Sequence, residues 1–184
     1  MSTNLKVFLM VNKKGSTIWI TGLSGAGKTT ITNLLIPQFQ GMGINPIILD
    51  GDEIRAAIRD PHWQFDTNSR LLGSYRYSRL ARLFTHQKQV VIVPTISMFH
   101  EVQRWNREYI PNYFEVFLDV DIKARISRDP KGLYQNEPSH MVEDSTAELP
   151  QFPDMRILNN GEIDDATVKA EEIFTEWKKV IYDA

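Results

Sequence analysis

Two rhythms of hydrophobic and polar positions alternate along the chain: short, nearly continuous apolar runs, and longer stretches in which apolar residues recur every three or four positions. Residues 17–21, 46–50, 90–94, 113–120 and 155–158 are runs rich in β-branched and aromatic side chains, which predicts strands. Residues 28–40 set Ile31, Leu34, Leu35 and Phe39 on one helical face, and residues 164–181 do the same with Ala170, Phe174, Trp177 and Ile181. Residues 70–88 predict a long helix and residues 121–127 a short one. Strands alternating with helices in this way predict an α/β fold, a parallel sheet with helices on both faces. Two stretches do not fit the alternation. Residues 62–69 are polar and aromatic, and residues 135–154 carry Pro138, Pro150 and Pro153 with little periodicity. Long irregular segments in a compact domain are more often binding loops or lids than plain connectors, so both are expected on the ligand side of the sheet.

The first strand runs directly into Gly22-Leu23-Ser24-Gly25-Ala26-Gly27-Lys28-Thr29-Thr30, and a helix follows. This is a phosphate-binding loop, or P-loop, matching G-x-x-x-x-G-K-[ST] at every defined position. Backbone N–H groups of such a loop point inward around phosphate oxygens, and the helix adds the positive end of its dipole. Lys28 is then expected at the β- and γ-phosphates, and the Thr29 hydroxyl on Mg²⁺. The cofactors this predicts are ATP and Mg²⁺.

Composition narrows the alternatives. With 184 residues, 42% hydrophobic and 24% charged, the chain suits one globular domain. It has no cysteine, which excludes disulfides, thiolate nucleophiles and Cys-ligated metal. A net charge of −2 gives no general attraction to nucleic acid or to an anionic membrane, so neither is expected as a partner. Residues 7–11 are apolar but too few for a membrane span or a signal peptide, and lysines flank them. Residues 1–16 are read as an N-terminal arm, residues 17–184 as the catalytic domain, and the cytoplasm as its location.

Leu49-Asp50-Gly51-Asp52 closes the second strand. In an open parallel sheet ligands lie beyond the carboxyl ends of the strands, so both carboxylates are expected to face the phosphates. One can hold Mg²⁺ through water while the other takes a proton from an attacking hydroxyl. The alternative is a turn that uses Asp and Gly for its geometry alone. Arg128 to Tyr134 offers cations on a segment able to close over ATP, or a solvated turn. Ile96-Ser97 brings a hydroxyl to the same edge, where a serine is often a helix cap. His62, His86, His100 and His140 show no metal-ligand spacing.

Taken together, these pieces resemble the adenylylsulfate kinase (APS kinase) family, which phosphorylates the 3′-hydroxyl of adenosine 5′-phosphosulfate (APS) with MgATP. The resemblance covers residues 17–134. It runs from Ile18-Trp19-Ile20-Thr21 and the P-loop through Leu49 to Asp52 with Arg55, then Phe65 with Arg70 five residues on, Ile96-Ser97, Tyr113 to Val120, and Arg128 to Tyr134. It implies a P-loop NTPase-type three-layer sandwich with a five-stranded parallel sheet and a lid over residues 128–150. It implies catalytic roles for Asp52, Lys28, Ser97 and Lys131, with Asp52 as the base at the 3′-hydroxyl. ATP would be held by Gly22 through Thr30 together with Arg128. The acceptor nucleotide, a small-molecule partner, would be held by Asp50, Asp52, Arg55, Phe65, Arg70, Ile96 and Lys131, with Phe65 stacked on the base. Ser97 matches a serine that is phosphorylated in some members. The family commonly dimerises, which makes a homodimer part of the expectation.

Three departures all fall on the acceptor side. Gly73 stands where the family usually has Asn, Met98 and His100 replace a usual Pro and Arg, and residues 139–144 lack the usual aromatic motif after the lid. Residues 97–107 look more like a divergent branch associated with capsule sugars, which resembles cytidine diphosphoramidate kinase. The expected reaction is therefore 3′-phosphorylation of a 5′-nucleotide anhydride, with APS first and a cytidine diphosphoramidate-type acceptor as the alternative. An ATP-gripping regulatory module would have no chemical need for Asp52 and Lys131. A hydrolytic GTPase-like switch would need an Asn-Lys-x-Asp guanine signature, which is absent.

Overall fold

The computed structural model describes residues 14–64, 66–128, 147–161 and 163–183. Phe65, Lys131, residues 139–144 and the apolar run 7–11 lie outside the described residues, so the expectations placed on them are not addressed by it.

Five strands form one sheet, β1 (Ser16–Thr21), β2 (Ile47–Ile48), β3 (Val90–Thr95), β4 (Tyr113–Asp119) and β5 (Met155–Leu158), in the order β2-β3-β1-β4-β5. Every pairing is parallel. Among the described residues the helices are α1 (Lys28–Gly41), α2 (Gly51–Ile58), α3 (Thr67–His86), α4 (His100–Tyr109), α5 (Ile122–Arg128) and α6 (Ile163–Trp177), which runs on into a π-helical turn at Lys178–Tyr182. The expected α/β fold with a five-stranded parallel sheet is what the chain adopts.

Alternation within the strands sorts the core into two layers. Ile18, Ile20 and Ile92 pack with Ile31, Leu35, Phe39, Ile173 and Trp177 from α1 and α6. Trp19, Val91 and Val93 face the other way, onto Tyr77, Ala81 and Val102 from α3 and α4. Ile18, Trp19 and Ile20 have no exposed surface, as expected for the central strand of a sheet covered on both faces. Among the described residues no helix is long and apolar enough to cross a membrane.

Three differences from the sequence reading have local causes. The second strand is two residues rather than five, because Pro46 lacks an N–H and Asp50 turns the chain into a helix; Leu49 still donates to the Ile92 carbonyl at 2.9 Å. That helix, α2, was not anticipated. At eight residues it is too short for periodicity to reveal.

The third difference concerns residues 147–154, which were expected on the ligand side. They begin there, with the Glu148 carboxylate accepting from the first backbone N–H of α4 at 2.5 Å, and then run down α4. At the far end Arg107 donates to the Phe152 carbonyl at 3.0 Å and bridges the carboxylates of Asp154 and Glu115, each at 3.2 Å. Burial pushes the Glu115 carboxyl above its ordinary range, and the Arg107 charge opposes that. The second half of the segment thus feeds β5 from the amino edge of the sheet, opposite the P-loop.

Candidate active site

Because all five strands run the same way, the segments after them emerge at one edge. There the chain collects Gly22 to Lys28 after β1, Asp50 to Asp52 after β2, Ile96 and Ser97 after β3, and Asn159 after β5. Residues from four separate stretches of sequence are thereby brought to one side of the molecule.

The P-loop has the conformation its chemistry requires. Gly25 and Gly27 have φ of 78° and 87°, in the left-handed region that L side chains rarely enter. Gly27 precedes α1, so the first N–H groups of the helix open toward the loop. The Lys28 ammonium folds back over the turn, donating to the carbonyls of Gly22 (2.7 Å) and Leu23 (3.0 Å). Thr29 lies exposed in the first turn of α1, and Thr30 is half-buried beside it.

Asn159 is a component that the sequence reading missed. It is 4% exposed at the end of β5, and its amide donates to the Ala26 carbonyl inside the loop at 2.9 Å. Its backbone N–H donates to the Asp119 carbonyl, and Lys169 of α6 donates to its Oδ1 at 3.1 Å. A Cβ added at Gly27 would come within 2.8 Å of this same amide. Asn159 therefore clamps the P-loop from behind, through a contact spanning 133 residues of sequence that no local pattern signals. Losing a buried hydrogen bond of this kind costs about 1–2 kcal/mol. Asn159→Ala is accordingly expected to weaken ATP binding by about tenfold while leaving acceptor KM unmoved, measured by calorimetry and initial rates.

On the neighbouring strand ends, Asp50 and Asp52 separate in role. Asp50 is the N-cap of α2, its carboxylate accepting from the N–H groups of Asp52 (2.9 Å) and Glu53 (3.4 Å). This is the turn-geometry alternative, and it leaves Asp52 as the exposed carboxylate of the pair, in the first turn of α2 where the helix dipole favours a negative charge. Tyr77 of α3 lies against this turn, its hydroxyl 3.4 Å from the Gly51 carbonyl. Burial pushes the Tyr77 phenol above its ordinary value; a hydrogen bond from Arg55 opposes this, while the charges of Asp52 and Asp50 add to it. Asp50, Asp52, Arg55 and Tyr77 therefore share one electrostatic neighbourhood.

Ser97 is neither a helix cap nor an open hydroxyl. Phe99 holds the N-cap position of α4. Ser97 is buried at φ 28°, a strained value for a residue with a side chain. Its hydroxyl lies 2.7 Å from Thr95 Oγ1 and 2.9 Å from the Ser74 hydroxyl, which in turn lies 2.9 Å from the Arg70 carbonyl. Next to it, Thr21 at the mouth of the P-loop donates to the Ile96 carbonyl at 2.5 Å. A ladder of hydroxyls and carbonyls thus joins the end of β1, the end of β3 and the first turn of α3, which carries Arg70. Arg128 occupies the last turn of α5 and donates to the Gly161 carbonyl rather than standing on a loop.

A family model described as adenylylsulphate kinase matches residues 14–157. The chain is 40% identical over 117 residues to cytidine diphosphoramidate kinase of Campylobacter jejuni, covering 64% of this chain and 68% of that protein. It is 32% identical over 174 residues to a probable adenylyl-sulfate kinase of Pyrococcus abyssi, covering 92% and 98%. Among solved structures it is similar to Mycobacterium tuberculosis APS kinase in complex with AMPPNP and APS, with TM-score 0.76 and 30% identity over 88% of this chain and 98% of that one.

Proposed function

The chain belongs to the adenylylsulphate kinase family, an ATP-dependent kinase by that membership, and from this premise we propose that it phosphorylates the 3′-hydroxyl of a 5′-nucleotide anhydride, with APS as the acceptor. The observation that carries the reading is the single sheet edge, which carries both a complete P-loop with Lys28 folded across it and the exposed carboxylate of Asp52.

In this reading Gly22 to Thr30 hold the phosphates of ATP through backbone N–H groups, and Lys28 neutralises charge that grows on them. Asp52 takes the proton as the acceptor oxygen bonds to the γ-phosphorus and the bond to the β–γ bridging oxygen breaks, releasing ADP. Arg55 and Arg70 hold the anionic anhydride of the acceptor, and Ile96 and Ser97 line the floor between the two nucleotides. Phe65, Lys131 and Arg128 complete the reading as base-stacking and phosphate-side groups. Bound magnesium would neutralise charge on the phosphates, and the exposed Thr29 hydroxyl is the oxygen donor that would hold it. Among the described residues no group of three or more His, Cys, Asp or Glu could hold a metal ion. A cytoplasmic location and a homodimer belong to the same reading.

A second reading, with cytidine diphosphoramidate as acceptor, is favoured by the 40% identity to the Campylobacter jejuni enzyme and by Gly73, which offers no polar side chain to a bound base. The test compares kcat/KM for the two acceptors at fixed MgATP. The first reading expects APS to be turned over and to lead the cytidine compound; one lost polar contact and one lost stacking face would narrow that lead by about one to two decades, and a lead above about a hundredfold marks an ordinary APS kinase. A cytidine compound that wins moves the protein to the second reading. Turnover of neither acceptor would sink both.

A further inference from the structure

Trp63 sits in the connection between α2 and α3, 7% exposed although its neighbours His62 and Gln64 are open to solvent. Two guanidinium groups lie against its ring: the Arg55 carbon is 4.5 Å from the ring centre and the Arg76 carbon 4.4 Å. Their surroundings differ. Arg76 forms an ion pair with Asp60 at 2.7 Å. Arg55 is pinned to Trp63 a second time, its Nη1 donating to the Trp63 carbonyl at 3.1 Å. Ring and carbonyl together hold this one guanidinium beside Tyr77 and the Asp50–Asp52 turn.

The indole reaches this position only because of a local concession in α3. A Cβ built at Gly73 would lie 2.6 Å from Trp63 Nε1 and 2.8 Å from Cζ2, so no side chain fits there while the ring is in place. Glycine inside a helix weakens it relative to alanine. The indole N–H pressed against this notch is buried with no hydrogen-bond partner among the described residues, a second cost. Two destabilising features therefore meet at a single contact, and the fold gains no satisfied polar group from it. Such local violations gather where the chain serves function rather than stability.

We infer that Trp63 is the positioning residue for Arg55, and that Gly73 is the notch that admits it, so that the pair sets how the site grips the anionic part of its acceptor nucleotide. The inference rests on the proposed kinase reading, in which Arg55 faces that acceptor. Stacking on the indole fixes the guanidinium plane, while the ring fills the space that any side chain at position 73 would otherwise take from the pocket. The ligand class is an acceptor carrying a 5′-diphosphate-like anhydride.

The experiment uses the full chain and both acceptors, APS and cytidine diphosphoramidate, with rates at saturating MgATP and acceptor binding measured by calorimetry with AMPPNP bound. Trp63→Leu is expected to raise acceptor KM by about tenfold, with kcat within about threefold and ATP KM unchanged, since the stacking that orients Arg55 is lost while the phosphate loop is untouched. Trp63→Phe, which keeps a flat ring, is expected to recover most of the affinity. Adding Arg55→Ala to Trp63→Leu should cost no more than Arg55→Ala alone, because both act through one guanidinium. Unchanged acceptor KM, additive losses, or a fall in kcat and melting temperature that Trp63→Phe does not rescue would each overturn the inference. If the wild type turns over neither acceptor, the kinase reading fails by itself, and the binding isotherms still decide the role of Trp63. A wild type that binds neither compound overturns the inference as well.

Discussion

Lys28→Ala is expected to lower phosphoryl-transfer turnover by at least about 10³-fold, roughly 4 kcal/mol of transition-state stabilisation at 1.36 kcal/mol per decade. Lys28 has the only charged side chain within the loop itself, and it already lies 2.7 Å from the Gly22 carbonyl and 3.0 Å from that of Leu23. A rotation of the side chain would carry the ammonium from those carbonyls to phosphate oxygens held by the backbone of the same turn. The rest of the cradle is backbone, so ATP affinity should fall much less than turnover. The fold should persist, because α1 is anchored by Ile31, Leu35 and Phe39, which have no exposed surface, and not by residue 28. Steady-state kinetics beside a thermal melt checks this. A Lys28→Ala protein with near-normal turnover would remove the P-loop from the mechanism.

Asp52→Asn is the second large effect. If Asp52 accepts the proton of the acceptor hydroxyl, the amide cannot replace it, and transfer should fall to the limit of detection with ATP affinity within about tenfold of normal. The structure makes this test cleaner than the same change at Asp50. Asp50 caps α2 through two backbone N–H groups, so Asp50→Ala is expected to destabilise the helix by about 1 kcal/mol and disturb the site indirectly. Asp52 makes no cap. Equal losses of ATP affinity and turnover in Asp52→Asn would assign it to the metal instead of the proton.

The parts of this site that were legible in the sequence are those coded by contiguous residues. The P-loop is one nine-residue string between a strand and a helix, and its glycines signal the left-handed turns found at Gly25 and Gly27. Strand composition gave away the sheet for the same reason: a strand buried on both faces reads as a continuous apolar run. What stayed hidden depends on contacts between distant segments. Asn159 looks like any polar residue after a strand until the fold sets its amide on Ala26. Trp63 lies in a polar and aromatic stretch and Gly73 stands where the family usually has Asn, and only packing shows them to be two halves of one contact. The Asp50-Gly51-Asp52 string could have been turn or site. The structure gives the turn to Asp50, as the cap of α2, and leaves Asp52 exposed for the proposed role, a division that no spacing rule could have settled.

The proposed reaction transfers phosphate from ATP to a nucleotide hydroxyl at the sheet edge. The most direct measurement is phosphorus NMR of a reaction containing the full chain, MgATP and APS, repeated with cytidine diphosphoramidate, with ADP followed in parallel. The account predicts that ADP appears only when an acceptor is present, in equal amount to a new phosphomonoester signal coupled to the ribose 3′-proton, and that Asp52→Asn abolishes both. ADP and free phosphate released in equal amounts, at the same rate with and without acceptor and with no nucleotide 3′-phosphate formed, would contradict it.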